Sequence, residues 1–150
     1  MIIVVFLFLF VSTIPIASGY FQAVTTAESA NITKTAAIAE NFVIYRYAVL
    51  NYIENHQSQT GVISDDILKL PPNFVKLGGW TNKVQGGYIV VYSTGKVGLL
   101  SSNILAKSNA VDSVVNYTSN GRIISPVFGD RGTSFAFVPD GSLISVIQQY

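Results

Sequence analysis

The N-terminal stretch carries no charged side chain before Glu28, and residues 2–11 are all Ile, Val, Phe or Leu. Apolar character continues as far as Phe21. A helix needs about 20 predominantly apolar residues to cross the hydrocarbon core of a bilayer. We therefore predict a transmembrane anchor over residues 1–24, followed by a stalk or linker over residues 25–35. Pro15 would kink the anchor, which membrane helices tolerate.

Two other interpretations of this stretch stay open. The small residues Ala17, Ser18 and Gly19 would suit cleavage of a signal peptide, although no basic residue precedes the apolar run. The stretch could also be a helix buried in a protein core. Either the anchor or the signal would bring the following domain to a membrane. Because no Lys or Arg precedes the span, charge does not predict its orientation.

Composition limits the class of protein. The net charge is only +1 and the basic residues are scattered, which argues against binding to nucleic acid. The chain has no cysteine, so disulfides, thiolate metal sites and a cysteine nucleophile are excluded. Residues 36–150 are long enough for one packed core, and we expect them to form a single extracytoplasmic domain.

A long amphipathic helix follows the linker. Ile38, Phe42, Tyr45, Val49 and Tyr52 are spaced by alternating steps of four and three, which places them on one face of an α-helix. The helix is expected to end near His56. Several polar residues are expected outside the apolar stripe: Glu40, Asn41, Arg46, Asn51 and Glu54.

The rest of the chain reads mainly as antiparallel strands. Ser64 is expected to cap a short helical turn through Leu68, and a second short helix to begin at Ser102. Asn120-Gly121 and Asp140-Gly141 are each expected to form a tight hairpin turn. The predicted strands are 87–93, 97–100, 113–118, 122–127, 133–138 and 142–148. The predicted fold class is α+β, with a membrane helix continuing into an amphipathic helix that packs on an antiparallel sheet.

Few residues are candidates for chemistry. One histidine and no cysteine cannot supply the three or four ligands of a zinc site, and His56 is explained by its place at a helix C-terminus. Asp65 and Asp66 are adjacent, so they point in different directions on a helix and are best read as capping charges. We therefore expect no enzyme, no catalytic residue, no cofactor and no small-molecule substrate.

Three residues are candidates for contact with a partner. Asp130 and Arg131 lie between two glycines and are most simply a polar turn that faces solvent. Trp80 follows Gly78-Gly79 in a predicted loop or strand start. It is either a core residue or an exposed interface anchor, because Trp is enriched at binding hot spots.

Several short motifs resemble a known family. They are residues 39–53, Leu70-Pro71-Pro72, Gly79-Trp80-Thr81-Asn82, Gly87-Tyr88 and residues 121–126. Together with the apolar N-terminus, they resemble the PilM proteins of conjugative plasmids that make thin, type IVb-like pili, and more generally the pilin-like architecture. Unlike a true pilin, the chain has no acidic residue before Glu28.

The resemblance implies a structural or assembly component of a type IV pilus apparatus. It implies a single-pass protein of the bacterial inner membrane, with its C-terminal domain in the periplasm and other pilus-assembly proteins as partners. The alternative is a ligand-binding or minor pilin-like adhesive module, either secreted or tethered to the membrane.

Overall fold

The computed structural model describes residues 29–107 and 115–149, except for the side chains of residues 100 and 104–107. The predicted anchor over residues 1–24 lies outside these ranges. The chain divides into two units, Met1–Lys34 and Thr35–Tyr150. Among the described residues, no helix combines the length and the apolar character needed to cross a membrane.

Helix α1 covers residues 29–54 of the described chain. Phe42, Tyr45 and Val49 are at most 1% exposed, which confirms the predicted apolar stripe. The helix ends at Glu54, two residues before the predicted end. The next two N–H groups, those of Asn55 and His56, bond to carbonyls only three residues back, and this tighter pattern closes the helix.

Arg46 departs from the predicted pattern of α1. It is only 7% exposed, and its Nε donates to Ser145 Oγ at 2.9 Å. Burial lowers the pKa of the Arg46 guanidinium. The prediction that Arg46 lies outside the buried face is wrong, because a long aliphatic stem can be covered by neighbouring residues.

The described residues contribute six strands to one antiparallel sheet: β1 Trp80–Gln85, β2 Tyr88–Ser93, β3 Val115–Ser119, β4 Arg122–Ser125, β5 Gly129–Thr133 and β6 Leu143–Gln148. Their order across the sheet is β1-β2-β6-β3-β4-β5. Strand β6 therefore lies in the middle, paired with β2 on one side and β3 on the other. The predicted α+β class, with a helix on an antiparallel sheet, is confirmed for the described residues.

Helix α2, Gly98–Lys107, replaces the predicted strand over residues 97–100 and begins earlier than the helix predicted from Ser102. The N–H of Gly98 donates to the Gly141 carbonyl at 2.9 Å. A Cβ at Gly98 would lie 2.5 Å from the Ser142 carbonyl oxygen. The first turn of α2 therefore depends on a glycine that allows this close approach.

The short turn Asp65–Ile67 is a 3-10 helix, close to the predicted helical turn. Ser64 occupies the N-cap position, but its side chain makes no capping hydrogen bond. Ser64 Oγ instead donates to Asp66 Oδ2 at 3.3 Å. The predicted capping role of Ser64 is therefore wrong.

The predicted strand over residues 133–138 is also wrong, since only Thr133 belongs to a strand. Phe135 and Phe137 do alternate with small residues, but they pack on the sheet from a connecting loop. Asp140-Gly141 forms a turn, yet the strand after it pairs with β2 and β3 rather than with residues 133–138.

The two faces of the sheet carry separate hydrophobic cores. The inner core joins α1 to the sheet and contains Phe42, Val49, Trp80, Val91 and Leu143, among others. On the outer face, Phe135 and Phe137 pack against a smaller core of Val90, Tyr92, Ile123, Val138 and Ile144.

Candidate interaction surface

Trp80 opens β1 and is completely buried. Its Nε1 donates to Asn41 Oδ1 at 2.6 Å, and its ring meets that of Phe42 edge-on with centroids 5.1 Å apart. These contacts tie the first strand to α1. Trp80 is therefore a core residue in this domain, and it offers no surface to a partner.

Asn82, also on β1, organises a buried polar cluster. Its Oδ1 accepts the Ile63 N–H at 2.8 Å, and its Nδ2 donates to Ile63 O and to Tyr45 Oη, both at 2.9 Å. Tyr45 Oη donates in turn to Asp65 Oδ1 at 2.9 Å. Burial, followed by the effect of Asp65, raises the pKa of the Tyr45 phenol.

Asp65 also forms an ion pair with Lys76 at 2.5 Å. Both carboxylate oxygens of Asp65 are thus occupied, one by Tyr45 and one by Lys76. This carboxylate holds the connection between α1 and β1 in place. Its contacts with Tyr45 and Lys76 give Asp65 a structural role.

His56 lies just after the end of α1, as predicted. Its Nδ1 is 2.8 Å from Tyr52 O, and its ring stacks on that of Tyr52 with centroids 4.1 Å apart. A groove of about 390 Å³ beside it is lined by Asn51, Lys69 and neighbouring residues. Among the described residues, no three His, Asp or Glu side chains gather as metal ligands.

Asp130 and Arg131 lie in β5, an edge strand of the sheet, rather than in a turn. The pairing of β4 with β5 shifts register, so that Ile123 faces Gly132 while Ile124 faces Asp130. Arg131 is therefore the extra residue of a β-bulge. Bulges redirect side chains and are frequent at sheet edges. The guanidinium of Arg131 lies 5.6 Å from the ring centre of Phe128.

The turn between β4 and β5 presents two large apolar side chains to solvent. Val127 is 61% exposed and Phe128 is 58% exposed. Ser125 Oγ accepts the N–H groups of both residues, at 3.2 and 3.1 Å, and Gly129 follows with a positive φ of 72°. These hydrogen bonds hold the backbone of the turn in place, so Val127 and Phe128 project into solvent from an ordered turn.

An ion pair stiffens the same hairpin. Arg122 Nη2 lies 2.7 Å from Asp130 Oδ2, and Nε donates to the same carboxylate. Hydrogen bonding from Arg122, then from the Gly132 N–H, lowers the pKa of the Asp130 carboxyl. With Asp130 neutralised by Arg122, the charge of Arg131 is left beside the apolar pair. We call residues 122–133 the hairpin surface.

The sequence pattern indicated Asp130 and Arg131 as candidates for partner contact, but it did not indicate Val127 and Phe128. The sequence pattern predicts a strand over residues 122–127, in which an alternating apolar residue would be buried. Ser-Pro at positions 125–126 was the signal that could have ended that strand, since this pair favours a turn. With the turn placed there, both apolar residues fall outside the sheet.

Comparison with known proteins agrees with this architecture. The sequence profile of the PilM family matches residues 11–146. The crystal structure of a protein designated PilM, from Escherichia coli B7A, superposes with a TM-score of 0.56 and 23% sequence identity. The match covers 80% of this chain and 94% of that one. No curated protein matches the chain.

The fold is therefore that of a small α+β domain, and it is shared with a solved structure designated PilM. Because the family profile covers most of the sequence, the chain belongs to the PilM family. This membership confirms the resemblance drawn from the sequence and indicates a pilus-related role.

Proposed function

We propose that this chain is a non-enzymatic assembly component of a type IV, conjugative thin-pilus apparatus. In this proposal residues 1–24 anchor it in the bacterial inner membrane with a single pass, and the domain over residues 36–150 lies in the periplasm. Its partners are other pilus-assembly proteins. The observation that carries the proposal is the family match over residues 11–146.

The hairpin surface is the part of the domain that we assign to the partner. Interface hot spots are enriched in aromatic and Arg side chains at the centre of a desolvated patch. Phe128 and Arg131 supply such a pair at the sheet edge, with Val127 beside them. Their turn is already ordered by Ser125, so binding would cost little further conformational entropy.

The charge of this surface indicates the character of the partner. Asp130 is paired with Arg122, so Arg131 supplies the uncompensated charge beside the apolar tip. A complementary partner would offer an apolar pocket with an acidic rim. Electrostatic complementarity of this kind mainly raises the association rate and the specificity.

Complementation of a deletion strain tests the proposal. The deletion should abolish thin-pilus assembly and pilus-dependent transfer, and the unaltered gene should restore both. Phe128→Asp should fail to restore them although the protein accumulates and folds, since it places a charge at the centre of the apolar tip. The readouts are pilus yield, transfer frequency and the melting temperature of the purified variant.

Val75→Asp is the matched control, because Val75 is 67% exposed and lies in the connection before β1. It should complement normally. If Phe128→Asp and Val75→Asp both complement fully, the hairpin surface is not the partner contact. If the deletion itself leaves pilus assembly intact, the assembly role is wrong.

A further inference from the structure

Sheet pairing brings three side chains into one row on the outer face. Tyr88 faces Gln85 across the β1–β2 pair and Gln148 across the β2–β6 pair. Residues directly opposite each other in an antiparallel sheet point to the same face, with Cβ atoms about 5 Å apart. Gln85 and Gln148 are distant in sequence, so only the central position of β6 creates this row.

The row offers hydrogen-bonding groups that the described chain does not use. Among the described residues, the side chains of Gln85, Tyr88 and Gln148 form no hydrogen bond with one another or with a neighbour. Each Gln amide supplies two N–H donors and a carbonyl acceptor, and the Tyr hydroxyl can both donate and accept. The row contains no Asp, Glu, Lys, Arg or His.

The aromatic ring at the centre of the row is both exposed and supported. Tyr88 is 42% exposed, and its ring contacts that of Phe135 with centroids 6.1 Å apart. Phe135 in turn packs on Phe137 at 5.4 Å. The ring therefore rests on the outer core, and its exposed part remains available.

A lysine in β1, Lys83, is already engaged on this face. Lys83 Nζ lies 4.4 Å from the centre of the Phe137 ring, a cation–π contact. The row itself is neutral and lies beside the Gly86-Gly87 turn. A side chain added at either glycine would meet nothing within 4 Å, so the approach from this end is open.

We propose that the row Gln85–Tyr88–Gln148 binds a neutral pyranose oligosaccharide. The apolar C–H face of a pyranose ring stacks on an aromatic ring, and its hydroxyls match amides that donate and accept. An acidic ligand finds no free cation in the row, and a nucleic acid would need clustered basic residues. This site is separate from the hairpin surface and does not depend on the pilus role.

Binding is tested on the full chain, labelled with ¹⁵N and kept in a phosphocholine detergent, since alkyl maltosides carry sugar headgroups. The probes are cellohexaose, maltohexaose and chitohexaose. At least one should shift the backbone amide signals of Gln85, Tyr88 and Gln148, with a dissociation constant on the order of 1 mM. Tyr88→Ala should weaken binding at least about tenfold, a loss of about 1.4 kcal/mol, while Tyr88→Phe should retain most of it.

Tyr47→Ala is the matched control, because Tyr47 is also an exposed tyrosine, at 54%, but lies on α1. It should bind sugar like the unaltered chain. The proposal is overturned if none of the three sugars shifts these signals at roughly 20 mM, well above a millimolar dissociation constant. It is also overturned if Tyr88→Ala binds normally, or if only a proline-rich peptide added as a separate probe shifts the row.

Discussion

Asn82 shows how one polar side chain can hold three segments of a fold together. It is completely buried, and it bonds to both backbone groups of Ile63 and to Tyr45. The connection after α1 is thereby attached to both α1 and β1. A buried polar group is tolerated only when it is hydrogen-bonded, and Asn82 satisfies its partners as well as itself.

We expect Asn82→Ala to lower the free energy of unfolding by about 2–4 kcal/mol, since it leaves buried groups of Ile63 and Tyr45 without partners. Urea denaturation of the purified chain measures this decrease in the free energy of unfolding. Asn51→Ala is the control, because Asn51 is exposed on α1, and it should change stability by less than about 0.5 kcal/mol. Equal stability of the two variants would contradict the role given to Asn82.

Residue burial on α1 followed largely from the spacing of apolar side chains. Phe42, Tyr45 and Val49 were placed correctly because a 3.6-residue period leaves them on one face. Arg46 was misplaced because residue type alone does not show whether a long stem will be covered. For Trp80 both interpretations fitted the sequence, and the hydrogen bond to Asn41 that accompanies its burial is a tertiary contact.

At the scale of elements, the least predictable strands were the polar ones. Strand β1 contains inward-facing Trp80, Asn82 and Val84, but its outward residues are polar, and Asn82 and Lys83 are residue types that are depleted in strands. Residues 80–85 form a strand because their backbone pairs with that of β2. Strand β5 consists of Gly-Asp-Arg-Gly-Thr, a composition typical of turns, and only the ladder with β4 makes it a strand.

The ion pair of the β4–β5 hairpin predicts a specific pH dependence. Because the folded-state pKa of Asp130 is lowered, the pair stabilises the hairpin above the unfolded-state pKa, and this stabilisation is lost as the pH falls through the folded-state value. Arg122→Gln should raise the Asp130 pKa towards its ordinary value. A ¹³C titration of the Asp130 side-chain carboxyl signal measures this pKa in the unaltered chain and in Arg122→Gln.

Arg131→Gln is the control for this titration, since hydrogen bonding from Arg122 and Gly132, not Arg131, accounts for most of the shift. The Asp130 pKa should change little in that variant. If Arg122→Gln left the Asp130 titration unchanged, the contact between the two side chains would not persist in solution.

At the scale of the whole molecule, we predict that the full chain sediments with membranes and resists extraction by high salt and by alkaline carbonate. The reason is the uncharged apolar stretch over residues 1–24, which is long enough to span a bilayer. A variant lacking these residues is the control and should appear in the soluble fraction. Recovery of the intact chain as a soluble periplasmic protein would refute the anchor.

The sequence pattern did not predict the order of the strands in the sheet. Both turn signals predict hairpins between strands that are neighbours in the sequence, and this prediction is correct for β3 and β4 around Asn120-Gly121. The strand after Asp140-Gly141 instead enters between β2 and β3. Local turn chemistry fixes a turn, whereas the choice of pairing partner depends on which faces can bury their side chains together.

The central position of β6 has a consequence for how the domain is made. During translation, Leu143–Gln148 are synthesised after all the other described strands. These residues nevertheless connect the β1-β2 pair to β3-β4-β5 in the sheet. Until they emerge, the nascent chain holds two partial sheets, each with an unpaired edge that invites aggregation. Completion of the fold then requires contacts between distant parts of the chain, which form slowly. A chain truncated before Leu143 should therefore be a substrate for proteases and chaperones rather than a slightly weakened domain.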